Sequence, residues 1–129
     1  MLVTIWHVRG QDFDVDSFVE QFNIKAPDIY RKGVKTHKGK VPDDSGLSIL
    51  VSEELAADKH LKDIEEFIYN NKSALMNIKE KGYNSCLAMG CTVGTSDQFT
   101  KSVQLTSTQL GLLHDHGLSI EFSAYPAID

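Results

Sequence analysis

Alternation of hydrophobic and polar residues predicts five β-strands. In the first of them, residues 2–9, apolar side chains occupy both faces, which favours a central strand. The last, residues 118–125, alternates cleanly and predicts one buried face. A turn at residues 94–97 is expected to join the third and fourth strands as a hairpin. The predicted strands cover residues 2–9, 47–52, 83–95, 102–105 and 118–125.

Apolar residues spaced three and four positions apart predict three helical regions. Val15, Phe18 and Phe22, for instance, share one face of a short helix that Asp14 can cap. Capping-box patterns also precede the other two regions, and a glycine follows each of them, as is common at helix ends. The regions are residues 14–22, 57–81 with a break at Asn71, and 109–116; the capping segments are 52–55 and 106–109, and the closing glycines are Gly82 and Gly117.

The order of these elements predicts the fold class, an α+β two-layer sandwich. Strands and helices follow one another as β-α-β-α-(α)-β-β-α-β. We expect three or four helices on one face of a mixed or antiparallel sheet of about five strands. The two strand–helix–strand halves leave a ferredoxin-like duplication open. A length of 129 residues fits a single domain over residues 1–129.

One stretch, residues 24–46, shows no hydrophobic period. It contains two prolines, three glycines and a run of like charges, and it is longer than most loops in compact domains. Its few apolar side chains offset little of the backbone entropy that is lost on ordering. We therefore predict that residues 28–46 are the most mobile internal segment of the free protein and become protected when a partner binds.

Composition narrows the class of protein. With 41% hydrophobic and 24% charged residues, the chain has the values of ordinary globular proteins rather than of disordered ones. No apolar run approaches the length of about 18 residues that a membrane helix needs, and the first ten residues lack the pattern of a secretory signal. Two cysteines do not make a disulfide framework. We therefore expect a soluble cytoplasmic protein with no membrane partner.

Charge is unevenly distributed along the chain. The formal net charge is −5, yet residues 31–40 hold five of the 13 basic residues and no acidic one. The remainder is strongly acidic and is expected to repel nucleic acid, whose binding requires a basic face. The basic segment is either plain solvated surface or a site for one or two phosphates of an anionic ligand. Its candidate ligand-binding residues are Arg31, Lys32, Lys35, Lys38 and Lys40.

The sequence carries no catalytic or metal-binding signature. His114 and His116, two positions apart near a helix end, diverge around the helix and favour capping over a shared metal ion. Cys86 and Cys91 fall on opposite faces of one strand and are predicted to be buried as small hydrophobic residues. His60 is predicted on a helix surface. We therefore expect no enzyme activity, no metal and no cofactor.

Three stretches of the chain carry a family resemblance. They are residues 10–13 with 18–22, Ile24, Pro27 and 31–33; the strand at 47–51 with the acidic helix after it; and a late strand and Thr-led helix followed by residues 117–122 and Tyr125. In this order they resemble a family of small bacterial α+β domains of unknown function. The chain is also similar in size and acidity to bacterial immunity proteins, as in contact-dependent growth inhibition, which implies neutralisation of a cognate toxin inside the producing cell.

These observations predict a non-catalytic binding protein, most concretely an immunity protein whose partner is a basic toxin domain. Toxic nucleases are basic and are steered rapidly to acidic partners, so we expect contact through the acidic helical stretch. Tyr30 and Phe99 are candidate aromatic anchors, whereas Trp6 is expected in the core. The alternative is a small-ligand-binding or regulatory domain that uses residues 31–40, and the oligomeric state is open. The predicted partner-binding acids are Glu53, Glu54, Asp58, Asp63, Glu65 and Glu66.

Overall fold

A computed structural model describes residues 1–94 and 102–126 of the chain. Within these ranges, a mixed five-stranded sheet and four helices confirm the predicted α+β two-layer fold. The elements are β1 (Leu2–Gly10), α1 (Val15–Gln21), β2 (Asp28–Tyr30), β3 (Ser45–Glu54), α2 (Ala57–Asn70), α3 (Lys72–Lys81), β4 (Asn84–Val93), α4 (Ser107–Asp115) and β5 (Ser119–Pro126).

β1 is the central strand of the sheet, as its apolar residues on both faces predict. The strand order is β2-β3-β1-β4-β5, and β1 is antiparallel to both of its neighbours. β5 runs parallel to β4, and α4 makes the crossover that a parallel pair requires. Because β1 and β3 are antiparallel whereas β4 and β5 are parallel, the two strand–helix–strand halves are not copies of one another.

The hydrophobic core lies between the helices and one face of the sheet, around Trp6. This side chain is fully buried, and its ring centroid lies 5.3 Å from that of Phe67 on α2, in an edge-to-face arrangement. The indole N–H of Trp6 donates a hydrogen bond of 2.9 Å to Ser85 Oγ on β4. The opposite face of the sheet carries exposed His7 and Leu50 and therefore faces solvent.

The predicted hairpin after β4 is wrong. Residues 102–105 form no strand, and β4 pairs with β1 and β5 instead. The apolar side chains of Val103 and Leu105 are half-buried and pack against the core. β2, which the sequence did not predict, brings the number of strands to five. It lies inside the stretch that shows no hydrophobic period, and it pairs with β3. Most of the predicted turn at 94–97, and Phe99, lie outside the described residues.

Side chains cap two of the helices as predicted. Asp14 accepts a hydrogen bond from the backbone N–H of Ser17 at the start of α1. Thr106 and Gln109 form a reciprocal capping box at the start of α4. Gly82 ends α3 in the left-handed conformation (φ 71°), which favours glycine.

The long helical region begins at Ala57, as predicted, but the capping segment predicted before it is wrong. The segment 52–55 is not a capping box, because β3 continues through Glu54 and α2 begins only after Ala56. Asn71 divides the region into α2 and α3, as expected of a residue that is poor in helix interiors. Among the described residues, no helix combines the length and the apolar character that crossing a bilayer demands.

Three predictions of burial are wrong. β5, expected to have one buried face, has only half-buried and exposed residues, because it forms the edge of the sheet. His60 is fully buried on the side of α2 that packs against the sheet, where its Nε2 shares a 2.5 Å hydrogen bond with Thr4 Oγ1. Cys86 and Cys91 are half-buried rather than buried.

Candidate functional site

Helix α2 presents an acidic face to solvent. Asp58, Glu65 and Glu66 are exposed and follow one another at helical spacing, with Lys62 among them. They lie opposite the side of α2 that is buried against the sheet. The structure thus brings together three of the predicted partner-binding acids, over a helix length of about 12 Å.

Two further predicted acids lie beside this face. Asp63 accepts hydrogen bonds from Lys59 Nζ at 2.6 Å and from Ser52 Oγ at 2.7 Å. These two bonds, that of Lys59 first, hold the pKa of the Asp63 carboxyl below its usual range. The hydrogen bond and the charge of Asp63 raise the pKa of Lys59, and the negative charges of Glu66 and Glu54 add to this effect. Asp63 therefore connects α2 to β3, and part of its charge is compensated within the protein.

Two predicted contact residues lie away from α2. Glu53 points to the opposite face of β3 from Ser52, the residue that contacts α2. Tyr30 pairs with Gly46, about 25 Å along β3 from the acidic end of that strand. Burial, and then the nearby carboxylate of Asp44, raise the pKa of Tyr30. Tyr30 is therefore a half-buried residue of β2 and not an anchor within the acidic surface.

The aromatic residue that does lie on the acidic face is Tyr69. Its side chain is 71% exposed, and it follows Glu65 by four positions and Glu66 by three. It borders an open depression of about 350 Å³ that also involves Leu112 of α4. Lys72 Nζ lies 4.9 Å from the centre of the Tyr69 ring. Tyr69 is not among the aromatic anchors predicted from the sequence, although its helical spacing from Glu65 was a visible signal.

The basic loop, residues 31–40, is held by backbone hydrogen bonds between its two sides. The N–H of Gly33 donates to the carbonyl of Pro42 at 3.0 Å, and the N–H of Thr36 donates to that of Lys40 at 2.7 Å. Gly33 and Gly39 have positive φ angles, as the tight reversals of the loop require. The basic loop therefore connects β2 to β3 as a projection whose two sides are joined by backbone hydrogen bonds.

An open groove of about 590 Å³ lies between the basic loop and β2; we call it the β2 groove. Arg31 at its edge forms two hydrogen bonds with the Asp16 carboxylate of α1, at 2.7 and 2.8 Å, which lower the pKa of Asp16. Its positive charge is thus compensated. Of the predicted ligand-binding residues, the groove is lined by Arg31, Lys35 and Lys38 but not by Lys32 or Lys40.

The histidine and cysteine candidates make separate local contacts in the part of the chain that the structure describes. His116 Nδ1 lies 2.8 Å from the carbonyl oxygen of Leu112, so it caps the end of α4 as predicted. Burial, followed by the nearby Glu121 carboxylate, raises the pKa of the Cys86 thiol. Within residues 1–94 and 102–126, no group of three or more His, Cys, Asp or Glu residues is placed to hold a metal ion.

Comparison with known proteins gives one result. A family described as a domain of unknown function (DUF4279) matches residues 4–127. Neither the comparison with curated proteins nor that with solved structures gave a match. The family match covers nearly the whole chain and therefore includes both the acidic face of α2 and the β2 groove.

Proposed function

The chain belongs to the family described as a domain of unknown function (DUF4279), and we propose that it is a non-catalytic protein-binding domain. In the most concrete form of this proposal, it is an immunity protein that neutralises a basic bacterial toxin in the cytoplasm of the producing cell. Its contact surface is the α2 face, defined as Asp58, Glu65, Glu66 and Tyr69.

The observation that carries this proposal is the position of Tyr69 among carboxylates. Binding energy in protein interfaces is concentrated in a few aromatic and arginine residues that become fully desolvated. Tyr69 is 71% exposed and lies beside Glu65, Glu66 and a shallow depression. The Glu65 carboxylate is held in one orientation before a partner binds, because its Oε1 accepts a hydrogen bond of 2.9 Å from Gln109 Nε2. A basic partner can therefore bury the Tyr69 ring while pairing its own cations with the surrounding carboxylates.

The charge of the whole chain supports the same partner chemistry. A net charge of −5 attracts basic proteins over distances longer than a direct contact. Such attraction raises association rates, which an inhibitor needs if it is to reach a toxin before the toxin reaches its substrate.

The test combines cell growth with binding. A toxin domain encoded beside the gene for this protein is produced in cells with and without the protein, and the affinity of the purified pair is measured. We expect growth only when the protein is present. We also expect Tyr69→Ala to weaken binding by about 30-fold, the fold-change that corresponds to a hot spot of about 2 kcal/mol.

Matched variants separate the α2 face from general surface effects. Glu66→Lys is compared with Glu80→Lys, since both residues are exposed acids on helices, and Tyr69→Ala is compared with Tyr125→Ala on β5. We expect only the variants on α2 to lose binding and protection. The immunity proposal is contradicted if cells that make the toxin grow normally without this protein. The assignment of the surface is contradicted if both members of each pair have equal effects.

A further inference from the structure

The β2 groove differs from the α2 face in charge, because lysines line it. β2 is the first strand in the sheet order, so it pairs with β3 on one side and its other side forms an edge. The outward backbone groups of an edge strand are a template for another strand. Asp28, Ile29 and Tyr30, the three residues of β2, all line the β2 groove. Because consecutive side chains of a strand point to opposite faces, a groove lined by all three is reached from the strand edge.

The opposite wall of the groove is basic and partly apolar. Lys35 and Lys38 contribute positive charges, His37 lies between them, and Val34 is 54% exposed. Asp28 is the acidic residue of the lining, and it sits on β2 rather than on the basic wall. A chain segment that carries carboxylates on the side facing the loop is therefore complementary to this wall.

The base of the basic loop is attached to the rest of the protein before any ligand binds. The hydrogen bonds within the basic loop set its shape, and the N–H of Lys32 donates to Ser45 Oγ at 2.9 Å where the loop meets β3. The Arg31–Asp16 ion pair attaches the same end of the loop to α1. The attached base lowers the entropy cost of binding, and only the tip of the loop is left to be ordered when a ligand enters.

We propose that the β2 groove binds an acidic peptide segment in extended conformation, which adds to the sheet beside β2. Main-chain hydrogen bonds to the strand edge supply affinity, and glutamate or aspartate side chains at alternate positions reach Lys35 and Lys38. This site is separate from the α2 face and does not depend on the immunity function.

Other occupants fit the groove less well. Lys35 and Lys38 are exposed, and isolated ion pairs at such positions contribute little, which disfavours a small anion held by charge alone. A second copy of the chain that paired β2 with β2 would bring the same lysines together, and like charges at strand edges oppose such pairing. Nucleic acid requires a more extended basic face than Arg31, Lys35 and Lys38 provide in this groove.

The test uses defined peptides and fluorescence anisotropy. The probe is a labelled hexapeptide that alternates valine and glutamate, because its side chains alternate between two faces when it is extended. Its first control has the same sequence with alternate backbone nitrogens methylated, so its charge is kept while its hydrogen-bond donors are lost. We expect the methylated control to bind at least about tenfold more weakly, as the loss of one or two main-chain hydrogen bonds implies.

Variants of the protein locate the site. Lys35→Glu/Lys38→Glu is expected to weaken probe binding by about tenfold or more. The double variant Lys72→Glu/Lys81→Glu, which changes exposed lysines of α3 by the same charge, is expected to leave binding unchanged. Thermal unfolding of both variants verifies that they fold. In amide NMR spectra, the probe is expected to shift the signals of residues 28–30 and 34–38 first.

Several outcomes would overturn the proposal. Equal binding of the methylated and unmethylated peptides would show charge attraction without strand addition. Displacement of the probe by inorganic phosphate or a nucleotide at equal or lower concentration would identify a small-anion site instead. Absence of probe binding at concentrations up to about 1 mM, where even weak complexes form, would exclude a peptide site of this kind.

Discussion

Ser85 is the residue that allows the indole of Trp6 to be buried completely. Ser85 Oγ accepts the indole N–H at 2.9 Å, and both side chains lie in the core. A buried donor that loses its acceptor keeps the full cost of its lost hydration. We predict that Ser85→Ala lowers the free energy of unfolding by about 1–3 kcal/mol. Urea denaturation followed by the fluorescence of Trp6, the only tryptophan, measures this change.

Ser48→Ala is the matched control for this prediction. Ser48 Oγ also forms a hydrogen bond, of 2.7 Å to His7 Nδ1, but the pair lies on the exposed face of the sheet. Water replaces the lost partner there, so the expected change stays within about 0.5 kcal/mol. Equal losses of stability in the two variants would show that burial of the Trp6–Ser85 bond does not increase its contribution to the free energy of unfolding.

Individual residues were predictable from the sequence where their pattern had one interpretation. Trp6 was placed correctly in the core, since a central strand leaves a large side chain little other space. His60 was not, because its side of α2 is set by the sheet beneath it and its hydrogen-bond partner, Thr4, is 56 positions away. Tyr69 was missed although its spacing from Glu65 was visible.

At the scale of elements, the segment between α1 and β3 contains the paired strand β2 and the projecting basic loop. β2 is fixed by its pairing with β3, whereas the tip of the basic loop is held mainly by its own turns. We predict that residues 28–46 exchange their amide hydrogens faster than β1 in the free protein, with residues 34–40 fastest. Hydrogen exchange at the tip is expected within about tenfold of the unfolded-chain rate, as in loops whose opening costs little.

The same measurement with a partner present completes that prediction. Binding at the β2 groove is expected to slow exchange across residues 28–38, while the amides of α4 serve as an internal reference. Slow exchange across residues 31–40 without any partner would mean that the loop is a fixed structural element.

Elements were predictable where a period extended over two or more turns or several alternations. β1, β3 and the division of α2 from α3 at Asn71 belong to this group. β2 was not predictable, because its three residues are too few to show alternation and its pairing depends on β3. Residues 102–105 were wrongly predicted as a strand. Half-buried Val103 and Leu105 alternate with exposed residues there, as side chains do along a strand.

At the scale of the whole molecule, charge is separated between the α2 face and the β2 groove. If the α2 face meets a basic partner, long-range attraction by a protein of net charge −5 sets the association rate. We predict that this rate constant falls by about tenfold between about 0.05 M and 0.5 M salt, while the dissociation rate changes much less. Stopped-flow mixing of the labelled pair at several salt concentrations measures both rates.

Lys35→Glu/Lys38→Glu is informative in the same experiment. It makes the net charge more negative without altering the α2 face, so we expect association with the basic partner to become faster at low salt. A slower association at low salt would contradict long-range steering by the net charge of the protein.

The central position of β1 affects how the chain folds as a ribosome produces it. β1 is made before both of its neighbours, and its two edges gain partners only when β3 and then β4 have emerged. The hydrogen bond between Trp6 and Ser85 forms only after Ser85, 79 positions later in the chain, has been synthesised. Contacts so distant in sequence form slowly, and an unpaired apolar strand can associate with other chains in the meantime. A nascent chain that stalls before β4 therefore carries β1 with one edge unpaired, open to proteases and to neighbouring chains on the same messenger.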